Sequence, residues 1–235
     1  MMEVRSTDVQ NNFGTYLKYA QFEDVFITRN GKRVGVLKGY ESFLVAEGQP
    51  VYKARQPQMT LEEFLDFAER SSERYEFVDG EVVLQSSPSF QHQKVVTTLG
   101  SLFRNWSQDK PCEALVAPFN VLLEAFDTTN VVQPDVVVIC DLENIDEKGR
   151  YGGVPTVVVE VLSESTRNYD MVKKLEVYRA GGVKEYWIIN PFNEEVYVYS
   201  FEEYEVRDYR VYGPNSQLKS SALAGLDLPV NEVFA

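Results

Sequence analysis

Two acids stand in this sequence where an acid is costly. Asp135 opens the apolar run Val136-Val137-Val138-Ile139-Cys140, and Glu160 sits late in Thr156-Val157-Val158-Val159-Glu160-Val161-Leu162. Both runs are short and Val/Ile-rich, the pattern of strands buried on both faces. A carboxylate in such a setting is unfavourable unless a cation neutralises it. An oxygen-donor pair of this kind suits Mg²⁺ or Mn²⁺. Asp135 and Glu160 are therefore the expected metal ligands. Glu76, on an earlier β-rich run, and one lysine are the further groups that could converge with them.

The lysine is not where the simplest motif puts it. A metal nuclease of the PD…(D/E)xK type carries acid-x-lysine on one strand, because positions two apart share a face. Here Leu162 occupies that position. The segment after Ser163-Glu164-Ser165-Thr166 reads as a helix from about Asn168 to Ala180, capped by Ser165 or Thr166 and stopped by Gly181-Gly182. With Met171, Leu175 and Tyr178 as its buried stripe, Lys174 lies roughly 65° from the stripe centre and Lys173 roughly 165° away. Lys174 can therefore reach back to the two acids with its flexible stem, and Lys173 faces water.

These groups need a sheet to hold them, and the surrounding pattern supplies one. Thr60 to Glu63 is a capping box opening a helix to about Arg70 that buries Leu61, Phe64, Leu65 and Ala68. Asp79-Gly80 joins two strands, Tyr75–Val78 and Glu81–Leu84, whose alternation reads as half-buried, with Glu76 opposite Tyr75 and Phe77. Ser87-Pro88-Ser89 turns into a helix from about Phe90 to Gln108 with the apolar set Val95, Val96, Leu99, Leu102, Phe103 and Trp106. His92, in its first turn, is the single histidine of the chain, so it cannot form a histidine-cluster metal site. The helix dipole favours its neutral form. Strands follow at 112–117, 120–123, 185–190, 196–199 and about 203–211. Mixed strand and helix order implies an α/β fold with a mixed sheet.

The first fifty residues are a different object. Residues 1–55 carry a net charge of +2, against −15 for residues 56–235. Glu3-Val4-Arg5 reads as a strand, and a helix from about Val9 to Tyr19 buries Val9, Phe13, Tyr16, Leu17 and Ala20. Asn30-Gly31 joins the β-rich runs Val25–Thr28 and Val34–Leu37. A short helix from Tyr40 to Ala46 follows, then a polar linker with two prolines, 49–58. So small a unit buries too little to be self-sufficient, so it is expected to dimerise or dock.

Two resemblances follow from these residues. The first covers roughly 2–45 and rests on Val4, Ser6, Asp8, Asn12-Phe13-Gly14, Leu17, Phe26-Ile27-Thr28-Arg29-Asn30-Gly31-Lys32 and Val36-Leu37. This stretch resembles the N-terminal DNA-binding region of the Phd/YefM antitoxin family, in which the unit forms a homodimer on operator DNA and a tail wraps a toxin. The resemblance implies DNA, a second copy and a toxin protein as partners, although here a folded domain takes the place of the tail. Arg5, Arg29, Lys32 and Arg33 are the expected phosphate contacts.

The second covers about 59–200. It rests on Tyr75-Glu76, Asp79-Gly80-Glu81, Ser87-Pro88-Ser89 with His92, Ala117-Pro118 and Gln133-Pro134-Asp135. It continues through Pro155, Val159-Glu160-Val161-Leu162-Ser163, Ser165-Thr166, Asp170, Lys174, Tyr178, Gly182-Val183 and Glu185-Tyr186-Trp187. This part resembles the Uma-two family of restriction-endonuclease-like proteins, in which the lysine is displaced onto the helix; Glu164 departs from the family's usual proline. The resemblance implies a restriction-endonuclease-like mixed sheet flanked by helices. The implied domains are 1–48 (Phd/YefM-like), a linker at 49–58, and 59–235. It also implies metal-assisted phosphodiester hydrolysis, with Asp135, Glu160 and the Val161 carbonyl on Mg²⁺ or Mn²⁺. Lys174 would offset transition-state charge, and Glu76 would complete the metal site or orient water.

Composition sets bounds on this reading. The net charge of −13 argues against indiscriminate affinity for nucleic acid. That charge favours the alternative of a catalytically silent, antitoxin-like DNA-binding regulator; a protein–protein scaffold is the third reading. No run approaches the roughly 18 apolar residues of a membrane span, and the start lacks a signal-peptide core, so a cytoplasmic protein is expected. Cys112 and Cys140 have no metal-ligand spacing and read as two reduced, structural thiols.

Overall fold

The computed structural model describes residues 2–38, 59–85, 87–163 and 169–235. The expected helix at 40–46, the linker at 49–58, Glu164 and the caps Ser165 and Thr166 lie outside them. The chain divides into two compact units, 1–86 and 87–235.

In the first unit, β1 (Met2–Arg5) pairs parallel with β2 (Val25–Arg29), which pairs antiparallel with β3 (Lys32–Leu37). Asn30 and Gly31 both take positive φ, 51° and 71°, as the two-residue turn requires. Between β1 and β2 the expected single helix is two, α1 (Ser6–Asn11) and α2 (Phe13–Tyr19), broken at Asn12 with φ −135°. The break rotates the second piece. Tyr16, Tyr19 and Ala20 turn inward, while Phe13 and Leu17, expected to be buried, are 53% and 43% exposed. α3 (Leu61–Arg70) begins with the full Thr60–Glu63 capping box. It buries Phe64 and Phe67 rather than the expected Leu61, Leu65 and Ala68, which are only partly covered. Phe67 meets Tyr19 and Phe22 at ring distances of 5.0 and 5.6 Å, and Lys18 pairs with Glu63 at 2.6 Å. β4 (Tyr75–Val78) and β5 (Glu81–Leu84) form a hairpin. β4 is buried along its whole length, not half-buried as its alternation suggests.

The second unit is built on one mixed sheet. α4 (Phe90–Ser107) leads into β6 (Glu113–Val116) and a hairpin of β7 (Val121–Ala125) and β8 (Thr128–Val132). β8 escapes a sequence reading because its turn is Phe126-Asp127, both at positive φ without a glycine. Then come β9 (Val136–Ile139), β10 (Val157–Val161), a π-helical turn (Tyr169–Lys174), α5 (Leu175–Ala180) and β11 (Glu185–Asn190). β12 (Glu195–Glu202), β13 (Glu205–Tyr212), β14 (Gln217–Lys219), β15 (Asp227–Pro229) and α6 (Val230–Phe234) complete the chain. The six-stranded order is β13-β12-β11-β10-β9-β6, with β10 and β11 parallel and the other pairs antiparallel.

The alternation of strand side chains divides this sheet by chemistry. Val157, Val159, Val161, Trp187, Ile189, Val196 and Val198 form one core with Val95, Val96, Leu99 and Phe103 of α4. Val158, Glu160, Tyr186 and Ile188 point the other way. The two cysteines are joined as a disulfide, contrary to the expectation of free thiols. The cause is register: Glu113 pairs with Ile139 across β6 and β9, so the next positions outward, Cys112 and Cys140, face each other.

Candidate active site

Asp135 and Glu160 reach one place because their strands are neighbours running in opposite directions. Val136 pairs with Val159, so the start of β9 lies beside the end of β10. Asp135 is fixed there by the Val161 backbone N–H, which donates to its Oδ2 at 2.8 Å. Its side chain keeps 19% exposure, and the hydrogen bonds it makes to described residues both fall on Oδ2.

Glu160 is sealed. Its Oε1 accepts from Lys174 Nζ at 2.8 Å and from the Tyr178 hydroxyl at 2.7 Å. The Lys174 and Glu160 side chains are 3% and 4% exposed. Lys174 is thus fully inside, not at the border where an α-helical phase puts it. The wider π winding shifts the phase. The buried positions are Asp170, Lys174, Val177 and Tyr178, while Met171 and Leu175 of the expected stripe are only partly covered. Lys173 is also partly covered, not fully in water. Leu162, at the strand position two beyond Glu160, is buried and donates its N–H to the Ile189 carbonyl at 2.8 Å.

Two further residues stand at this site that were not among its expected members, although both carry the family resemblance. Asp170 is 4% exposed with Oδ1 3.8 Å from Lys174 Nζ. Its backbone carbonyl accepts from the Tyr186 hydroxyl at 3.0 Å. The other is His92. Ser89 caps α4 by accepting from the His92 N–H at 3.2 Å, and Gln91 donates to the Pro191 carbonyl at 3.0 Å. That anchoring sets His92 Nε2 3.1 Å from Asp135 Oδ2, while Nδ1 is buried without a hydrogen-bond partner among the described residues.

The electrostatics follow from this crowding. Burial pulls the His92 pKa down, but the hydrogen bond and charge of Asp135, with the Val161 backbone and the Asp170 charge, lift it above its ordinary value. The lowering that the helix dipole implies is outweighed by a carboxylate in direct contact. The Tyr186 phenol is held well above its ordinary pKa by complete burial and by the charges of Glu160, Asp170 and Asp135, with Lys174 opposing them. Among the described residues, Asp135, Glu160 and Asp170 thus share this neighbourhood with Lys174 and His92.

The donor chemistry fits a hard divalent cation: carboxylate oxygens of Asp135 and Glu160 and the Val161 carbonyl, with the Asp135 hydrogen bonds to described residues both on Oδ2. Among the described residues, no three His, Cys, Asp or Glu side chains are gathered as a ready ligand group. No described helix is long and apolar enough to cross a membrane.

The remaining predicted residues lie in the first unit. Glu76 on β4 is completely buried, and Gln85 Nε2 donates to its Oε2 at 2.8 Å. It is not the surface hairpin acid that its pattern also allowed. Arg5 pairs with Asp8 at 3.0 Å. Arg33 pairs with Glu3 at 2.5 Å and lies over the Phe26 ring at 4.4 Å. Arg29 and Lys32 are exposed at the hairpin turn.

Comparison with known proteins agrees with this architecture. Residues 61–231 match the model of the Uma2 family, described as "Putative restriction endonuclease". Two Synechocystis relatives are "Uncharacterized protein slr1290", 30% identical over 61% of this chain and 74% of that protein, and "Uncharacterized protein sll1609", 26% identical over 57% and 76%. A solved structure from Anabaena variabilis, titled a "putative nuclease belonging to DUF820", superposes with a TM-score of 0.61 at 20% identity. It covers 75% of this chain and 97% of that one. The two share a mixed α/β fold of the restriction-endonuclease-like kind.

Proposed function

This chain belongs to the Uma2 family, and from that premise we propose that it is a metal-dependent endonuclease hydrolysing phosphodiester bonds of DNA. The supporting observation is the buried Glu160–Lys174 pair beside an Asp135 held by the Val161 N–H. Asp135, Glu160 and the Val161 carbonyl would hold Mg²⁺ or Mn²⁺. That ion would supply polarisation of the phosphate and acidification of an attacking water.

The chain's own residues do the rest. Lys174, already desolvated, offsets the negative charge that grows on the phosphate in the transition state. Tyr178 keeps Glu160 hydrogen-bonded if Lys174 shifts toward that charge. His92 and the Val161 N–H both hold Oδ2 of Asp135 and so fix the orientation of the carboxylate. Glu76, in the other unit, is left outside this proposal. The N-terminal segment is proposed as a Phd/YefM-like DNA-binding and dimerising element whose exposed Arg29 and Lys32 meet phosphates; a toxin protein as partner rests on that resemblance alone.

One observation favours the second reading, a catalytically silent DNA-binding regulator. Oε1 of Glu160 is already engaged by Lys174 and Tyr178. Incubating the protein with plasmid in Mg²⁺ or Mn²⁺ beside Asp135→Ala, Lys174→Ala and Lys173→Ala decides between them. Cleavage by wild type and Lys173→Ala alone supports the nuclease. Cleavage surviving in both Asp135→Ala and Lys174→Ala removes this site, and an inert wild type that still shifts DNA in a gel supports the regulator.

A further inference from the structure

The sheet face that carries Glu160 continues past α5 as a row of tyrosines. Tyr178, whose hydroxyl donates to Glu160, packs on Tyr186 at 4.8 Å. Tyr186 stacks on Tyr199 at 6.5 Å, and Tyr199 lies 4.6 Å from Tyr209. Register makes the row a true cross-strand ladder, since Val158 pairs with Tyr186, Tyr186 with Tyr199, and Tyr199 with Tyr209. Glu160 heads the neighbouring row through Ile188 to Tyr197. The ladder passes from full burial at Tyr186 to 47% exposure at Tyr209, on the edge strand β13.

The same edge strand carries cations on its other face. A bulge between Ser200 and Phe201 gives β13 one residue more than its partner and leaves Arg207 unpaired there. Arg207 and Arg210 line a pocket with Lys184, Ser200, Ser221 and Asp208. Arg207 pairs with Glu202 at 3.0 Å and Arg210 with Asp208 at 2.7 Å. Both arginines are more than 60% exposed, so these pairs are weak and exchange readily for a phosphate. Lys184 is exposed and has no acidic partner among the described residues.

We propose that β13 holds an unpaired nucleic-acid strand, with bases stacked on Tyr199 and Tyr209 and phosphates on Arg207, Arg210 and Lys184. The inference rests on the nuclease reading for its biological sense, and it names the substrate class as single-stranded or locally unpaired. An unpaired strand running along this edge can lay its bases on the tyrosine face and turn its phosphates around β13 to the cations on the other, whereas a duplex offers no free base faces. Strand spacing places β12, with Tyr199, and β13, with Tyr209, roughly 10 and 15 Å from the Glu160 strand β10, a span of two to three nucleotides. The net charge of −13 leaves stacking to supply what long-range attraction does not.

The test measures binding in EDTA, apart from cleavage, using fluorescein-labelled dT12, rU12 and a 12-base-pair duplex. Wild type is expected to bind a single strand at least tenfold more tightly than the duplex. Tyr209→Leu should lose roughly tenfold on the single strand while Tyr209→Phe keeps it. Arg207→Gln with Arg210→Gln should flatten the salt dependence by about two phosphate contacts. The dT12 and rU12 arms tell DNA from RNA. Equal affinity for duplex and single strand, no binding, or an unchanged Tyr209→Leu overturns the proposal. So does a Tyr209→Leu that only converts a dimer to monomer in sedimentation, which would make this face an interface between copies. Strand loss in Tyr209→Leu with no cleavage by wild type in Mn²⁺ would defeat the nuclease reading alone; cleavage with unchanged binding would defeat this one alone.

Discussion

Lys174 Nζ stands 2.8 Å from Glu160 Oε1, with both side chains almost wholly out of water. A pair so placed is worth little against apolar replacements, but removing one member strands the other. Lys174→Ala is therefore expected to cost about 3–5 kcal/mol in urea unfolding. The Tyr178 hydroxyl, which still donates to Glu160, should hold the loss toward the lower figure. Lys174→Met with Glu160→Leu should recover most of it. A double variant as unstable as the single one would show that the ion pair itself contributes the stability.

His92 is the single histidine, so its titration is read without assignment. Asp135 in contact at 3.1 Å raises its pKa, outweighing burial. In metal-free protein the imidazole resonance should titrate above the ordinary value of about 6.5, and Asp135→Asn should bring the midpoint down. A raised folded pKa means that protonation favours the native state. This stabilisation is complete below about pH 6.5 and is lost as pH rises through the folded value. His92→Gln should flatten that part of the stability profile. A midpoint that Asp135→Asn leaves in place would refute the contact as its cause.

Much of the site was legible because it is made of simple patterns. Valine-rich runs mark buried strands whatever surrounds them, so an acid at the end of each, Asp135 or Glu160, is conspicuous. Helical phase was legible only in part, since a π-helical turn has no periodic signature and turned Lys174 fully inward. The break at Asn12 did the same to Phe13 and Leu17. The contacts His92–Asp135 and Lys174–Asp170, like the Cys112–Cys140 pairing, depend on register and long-range packing, to which local propensity is blind. β8 was hidden by a turn that uses Phe126-Asp127 where a glycine is usual.

The disulfide closes a sequence separation of 28 residues at the β6–β9 edge. A loop of that size corresponds to about 3.5 kcal/mol of unfolded-state entropy. Cys112→Ala with Cys140→Ala should lower the urea midpoint accordingly, and dithiothreitol should do the same to wild type but not to the double variant. Intact mass under non-reducing denaturation should be two hydrogens below that of the reduced chain. Equal stability with and without reductant would remove the bridge as a stabilising element.

Gly181 ends α5 where the helix meets β7. A Cβ there would lie 2.5 Å from two carbons of Leu123 and 2.9 Å from a third, and Leu123 is buried with nowhere to retreat. The φ of Gly181 is −78°, open to any residue, so the objection is overlap and not backbone strain. Gly181→Ala should destabilise by about 1–3 kcal/mol through overpacking, despite alanine's better helix propensity. Adding Leu123→Ala to Gly181→Ala separates the causes. If overlap is responsible, the second change should cost less in the Gly181→Ala background than in wild type, as a double-mutant cycle by urea unfolding would report. Strict additivity would place the role of Gly181 elsewhere than in its contact with Leu123.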